Sequence, residues 1–202
     1  MSESLDPAAV EPDTRERIVA AADALFYQRG FEHTSFADIA RAVQLSRGNF
    51  YYHFKTKDDI LEAVIGLRSQ RTQAMLDAWT RAADTPEGRL GCFVQMLVRN
   101  RENIQRHGCP VGTLCTELAK LKHPSRDDAG MIFSQFRAWL RTQFDAMGLA
   151  DEADRLAMHL LSRSQGIATL ANAFDDEAFI RQEVALLEAW ISSLNPASST
   201  SH

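Results

Sequence analysis

The chain has 202 residues, 45% apolar and 24% charged, with ten Gly and six Pro, a composition that supports a real core and excludes collagenous and disordered classes. A net charge of -5 excludes a general basic coat for nucleic acid, but not a local cationic surface. The acidic opening 1–12 lacks a secretory signal's basic start and apolar run, no stretch reaches the roughly 18 apolar residues of a membrane span, and Cys92, Cys109 and Cys115 make no disulfide framework, so the cytoplasm is the expected compartment.

Asp13 followed by Glu16 has the form of a helix cap with a reciprocal acid, and Ile18, Ala22, Leu25 and Phe26 recur at helical spacing until Gly30. Thr34 is the expected cap of a second helix over Ser35–Val43, with Phe36, Ile39, Ala40 and Val43 facing inward. Ser46 caps a two-turn helix over Arg47–His53, and Thr56 caps a long fourth helix from Lys57 to about Asp84 carrying Ile60, Val64 and Leu67. Thr85 and Pro86 open a fifth helix with Leu90, Phe93, Val94, Leu97 and Ile104, broken by Gly108. A sixth runs from about Pro110 to Leu121. A seventh carries Ile132, Phe136, Leu140, Phe144 and Met147 up to Gly148. Leu156, Leu160, Ile167, Leu170 and Phe174 mark an eighth, and Ile180, Val184, Leu187, Ile191 and Leu194 a ninth, closed by Pro196.

No strand alternation appears, so the expected fold class is all-α, with about nine helices. The change from very short to long helices divides it into a tail over 1–12, a head over 13–57, a body over 58–195 and a Ser-rich tail over 196–202.

Residues 35 to 53 supply, in order, the parts of a helix-turn-helix reader: a short helix, a tight turn and a polar helix that enters the major groove. His33 to Lys57 carries Arg41, Arg47, Lys55 and Lys57 against Asp38, a net +3 within an acidic chain. Arg47 has the fork that fits guanine O6 and N7 and is the expected base reader. Tyr51, Tyr52 and His53 have two readings, a buried aromatic face or, beside Arg47, Asn49, Lys55 and Lys57, a set of phosphate anchors.

The run T-S-F-A-D-I-A-R-A-V, then S-R-G-N-F-Y-Y-H-F-K-T-K-D-D-I-L, resembles the DNA-binding head of the TetR family of repressors over about residues 13 to 65. The resemblance implies a dimeric regulator, a repressor of a palindromic operator, released by a small-molecule effector. It places Tyr51, His53 and Lys57 on DNA and leaves Tyr52 divided between packing and backbone contact. With Thr34, Ser35, Ser46, Gly48, Asn49 and Lys55, these and Arg47 make the expected DNA surface. Gln44 departs from the Gly or small residue that the family often carries in the turn.

In the body, Phe179, Leu186 and Trp190 lie beside the Ile180, Val184, Leu187, Ile191 row, and a second apolar stripe calls for a partner. Leu160, Ile167, Phe174, Val184, Leu187 and Ile191 are the expected homodimer interface, the place that the resemblance also implies. Trp79, Phe93, Met96, Phe133, Phe136, Trp139 and Met158 are expected around an effector, although each also suits an ordinary core. Pro110 makes Cys109 the expected cap of the sixth helix, where the helix dipole, Arg106 and His107 favour a thiolate. The Gly-Cys-x-x-Gly element resembles a TetR subgroup of which some members respond to electrophiles. Cys109 is therefore a candidate sensor thiol and effector contact, against the alternative of a small buried cysteine at a helix junction. His107, Cys109, Cys115 and His123 match no known ligand spacing, so no metal and no cofactor is expected. Without a nucleophile elbow, dinucleotide turn or P-loop, a regulator is expected rather than an enzyme; the rival is a small thiol-dependent enzyme using Cys109 and His107.

Overall fold

The computed structural model describes residues 13–194, so the expected tails lie outside the described residues. These residues form ten α-helices, one 3-10 turn and no strand. None of the helices is long and apolar enough to cross a membrane. The chain divides into two compact units, the first ending at Val64 and the second beginning at Ile65.

In the first unit, α1 (Thr14–Arg29) starts at a reciprocal cap, in which Glu16 accepts from the Asp13 backbone, and stops at Gly30, whose φ of 87° suits glycine. It buries Ile18, Val19, Ala22 and Phe26. Next, α2 (Phe36–Ala42) is capped by Ser35, not by Thr34 as expected. The Ser35 hydroxyl and Asp38 carboxylate bond reciprocally across the first turn, whereas the fully buried Thr34 hydroxyl donates backwards to Gly30 O at 2.7 Å. The turn into α3 (Arg47–His53) places Gln44 at φ 56°, a left-handed conformation that glycine adopts without strain. Phe50, 1% exposed, is the inward anchor of α3 and meets Phe36 edge-to-face at 4.6 Å. Thr56 and Asp59 then cap each other at the start of α4 (Lys57–Ala82), the helix within which the division between the units falls.

The second unit adds six helices to the remainder of α4. The single fifth helix expected through Ile104 is two, α5 (Pro86–Arg99) and α6 (Arg101–His107), parted at Asn100. The Asn100 side chain donates to Met96 O at 3.0 Å, a local bond that competes with helix continuation. Gly108, at φ 75°, turns the chain into α7 (Pro110–Lys120). There follow α8 (Arg126–Ala146), a 3-10 turn at Ala150–Glu152, α9 (Ala153–Phe174) and α10 (Glu177–Ser193). The core lies where α8 packs along α9 and α5 along α10.

This packing corrects the expected dimer face. Leu160, Ile167, Val184, Leu187 and Ile191 are all buried within the chain's own body, and only Phe174 of that set, 72% exposed, reaches the surface. The inner stripe packs against the body's own helices. Met158 and Leu170, the latter one turn before Phe174, on α9 and Leu186 on α10 are the other large apolar side chains that these helices leave exposed. Of the second stripe expected on α10, Trp190 is drawn inward to the rings of Phe144 and His159.

Candidate nucleic-acid interface and body cavity

Ser46 caps α3 by accepting from Asn49 N–H, and Arg47 stands at the first helical position. With Phe50 anchored inward, Gly48, Asn49, Tyr51 and Tyr52 are left outward, the two tyrosines 49% and 78% exposed. This decides against a buried aromatic face for the tyrosines. The Tyr51 ring leans on Phe36, 4.9 Å away, and Tyr52 meets the half-buried His53 edge-on. Gly48 lies in a helix although a Cβ there would meet nothing within 4 Å. Glycine costs a helix about 1 kcal/mol relative to alanine, and no internal contact requires it here.

The cations near α3 are not equivalent. Lys57 donates to Phe31 O at 3.0 Å with its ammonium over the Phe31 ring at 4.1 Å, a role inside the head that the sequence reading did not foresee. Exposed Lys55 donates back to Tyr51 O in the last turn of α3. Arg41 pairs at the surface with Asp38, whose carboxyl is held below its ordinary value by the Ser35 hydroxyl and backbone bonds and then by Arg41 and Arg29. Ser35 is exposed. Thr34 is buried, and so is corrected from a surface contact to a residue of the turn.

In the body, the expected effector residues separate into two groups. Trp79, Phe93, Phe136 and Trp139 form an aromatic cluster, with ring centroids 5.6 to 6.3 Å apart. The Trp139 indole N–H donates to Thr80 Oγ1 at 2.9 Å. Nearby Gln143 donates to Trp139 O, while its buried Oε1 has no hydrogen-bond partner. None of the four aromatic residues lines the cavity of about 500 Å³ that opens between α7, α8 and α9. Cys109 and Phe133 do line it. Phe133 also shares with Met158 a second depression of about 300 Å³, and Met96 is half-buried on α5.

Cys109 is the N-cap of α7, its sulfur accepting from Gly112 N–H at 3.4 Å, with Pro110 in the first turn. A Cβ on Gly112 would lie 2.5 Å from Gln165 Oε1, so the side chain of Gln165 rests on that turn. Buried Arg68 of α4 donates to Pro110 O on its inner side. Cys115 lines the same cavity, and burial, then the nearby Cys109, raise its thiol pKa against the pull of Arg68. His123 accepts from Ser125 N–H. Among the described residues no three His, Cys, Asp or Glu side chains are grouped to hold a metal ion. Sequence reasoning missed the wall supplied by α9, because only the fold brings Gln165 to Gly112; the paired glycines of the Gly-Cys-x-x-Gly element were its one visible trace.

A short polar helix presented by a helix-turn-helix head and followed by an all-helical body is the architecture of a helical DNA-binding regulator. The chain belongs to the TetR family of transcriptional regulators. Residues 18–64 match the model of bacterial regulatory proteins of the tetR family, and residues 93–184 match the C-terminal domain of LmrA/YxaF-like transcriptional regulators. An HTH-type transcriptional regulator in the lacX 3′ region of Lactococcus lactis is 26% identical over 180 residues, 87% of this chain and 92% of that protein. The HTH-type transcriptional repressor DhaR of a Mycobacterium species is 25% identical over 60% of this chain and 61% of its own length. A TetR transcriptional regulator from Legionella pneumophila has the same fold, with a TM-score of 0.79 at 24% identity over 92% of this chain and 98% of that one.

Proposed function

We propose that this TetR-family regulator is a cytoplasmic repressor, not an enzyme, that binds a palindromic operator as a homodimer and leaves it when a small molecule occupies the body. The observation that carries this reading is the outer face of α3, where exposed Asn49, Tyr51 and Tyr52 flank a glycine that nothing inside the protein requires. Gly48 lets a sugar-phosphate backbone or base edge approach the helix closely. Arg47 reads a base, and Ser35, Ser46, Tyr51, Tyr52, His53 and Lys55 hold phosphates. Lys57 steadies the head from behind. Leu170, Phe174 and Leu186 meet their copies across a two-fold axis. Effector and operator then oppose each other through one linkage free energy, each weakening the other by the same factor.

Selection of bound sequences from random duplex DNA tests this reading. The expected product is an inverted repeat with half-site centres about 10 base pairs or a multiple apart. Selection of no sequence, or of a single unrepeated site, refutes it. A second reading, favoured by Cys109 capping α7 on the cavity wall, makes that thiol a sensor: it should react with a maleimide before Cys115, whose thiol is held protonated by burial, and its adduct should lower operator affinity.

A further inference from the structure

The cavity between α7, α8 and α9 has a polar wall whose hydrogen-bonding sense is fixed by the chain itself. The Thr113 hydroxyl donates to Cys109 O at 2.8 Å, and the Thr169 hydroxyl to Gln165 O at 2.9 Å, so each oxygen has only lone pairs left. Asn172 donates its amide N–H to Gln105 O at 2.8 Å, which orients the group and leaves Oδ1 as its other end. Gln165 is oriented likewise. Its nitrogen lies 3.4 Å from Ser164 Oγ, and that hydroxyl already donates to Leu161 O, so the amide nitrogen must be the donor. Its Oε1 is laid against Gly112, and among the described residues it accepts no hydrogen bond. All four side chains line the cavity, with Glu117 and Lys120 giving it one charge of each sign.

We propose that this cavity, rather than the aromatic cluster, takes the effector, and that its ligand is a small molecule rich in hydroxyl or N–H donors that meet the oxygens of Thr113, Gln165, Thr169 and Asn172. A ligand bearing acceptors alone leaves those oxygens without partners as it displaces their water, and is rejected on that account. The proposal deepens the effector-release reading and rests on it only for the word effector.

Cys109 on the cavity wall permits a test without knowledge of the natural ligand. A variant with Cys92→Ser and Cys115→Ser is equilibrated with equal amounts of bis(2-hydroxyethyl) and bis(2-methoxyethyl) disulfides. The Cys109 thiolate attacks one sulfur, a new S–S bond forms as the old one breaks, and the departing thiolate takes up the proton. Mass spectrometry gives the ratio of the two caps, with glutathione in the same mixture as reference. The hydroxyethyl cap should be enriched roughly 3- to 10-fold over the glutathione ratio, the effect of one hydrogen bond. A propionamide cap should be enriched similarly over its N,N-dimethyl form. Gln165→Met or Asn172→Ala should reduce the preference, while Gln165→Glu, which keeps an acceptor, should retain it. A ratio equal to that on glutathione, or a preference for the methylated caps, overturns the proposal, as does enrichment that survives both Gln165→Met and Asn172→Ala unchanged. Operator binding by the capped protein is measured separately. Enrichment without DNA release assigns the ligand class and refutes effector release through this cavity.

Discussion

The short helix α3 and the long pair α9 and α10 respond differently to the same apolar counting. In α3 a single plain hydrophobic side chain, Phe50, faces in, and the polarity of its neighbours reveals the outer face. In α9 and α10 apolar residues occupy more than one stripe, and the stripe that looked like a partner surface is core. A helix with one inward anchor declares its orientation; a helix apolar on two sides has it decided by whichever neighbour packs first.

The sharpest way to break this comparison is to charge each stripe in turn. Leu187→Arg or Ile191→Arg now places a charge in a closed core and should destabilise the body by about 3 to 5 kcal/mol, seen as lost helicity and a collapsed thermal transition. A folded monomer from either variant would restore the original assignment of the interface. Leu170→Glu with Leu186→Glu should instead leave the fold intact, yield a monomer in sedimentation and reduce operator affinity roughly 100-fold or more through lost bivalency. In the head, Arg47→Ala should cost about 1 to 3 kcal/mol on the selected operator and relax base preference. Lys55→Ala should lower the salt slope by about one at every sequence, whereas Lys57→Ala should mainly lower head stability, by about 1 kcal/mol, because its ammonium serves Phe31. Gln44→Gly should raise head stability by about 0.5 kcal/mol, relief of left-handed strain of about 1 kcal/mol less the extra entropy of an unfolded glycine, measurable by chemical denaturation.

The smallest effect is an acid one. Asp59, bonded by the backbone and hydroxyl of Thr56, Asp154, bonded by Arg137, and Glu177, bonded by Arg181 and Arg101, all titrate below their ordinary values. Each binds protons less readily folded than unfolded. Its contribution is therefore complete above the ordinary carboxylate range and is lost as pH falls through the depressed value. Asp59→Asn should flatten the acid limb of the head's stability profile and leave neutral-pH operator affinity unchanged; an unaltered limb would assign that acid sensitivity elsewhere.

Most of the head was legible because its decisive signals are local: caps one turn from their partners, one anchor per short helix, a turn of fixed length. Even there, Thr34 and Ser35 exchanged roles, since two adjacent hydroxyls both fit a cap and only the path of the chain from Gly30 chose between them. The identity of Cys109 as the cap of α7 followed from Pro110 alone. The break at Asn100 did not, because an asparagine inside an apolar period stays helical unless its side chain takes the local bond to Met96 O. The sequence by itself determined the all-helical class, most of the helix order and the polar outer face of α3, all of which rest on periodicity and neighbours within a turn. Tertiary structure alone decided which apolar stripe became core, which lysine stayed free of Phe31 and which polar oxygens gathered around the cavity. Those outcomes depend on contacts between residues far apart in the chain, such as Gln165 against Gly112, and no local pattern specifies them.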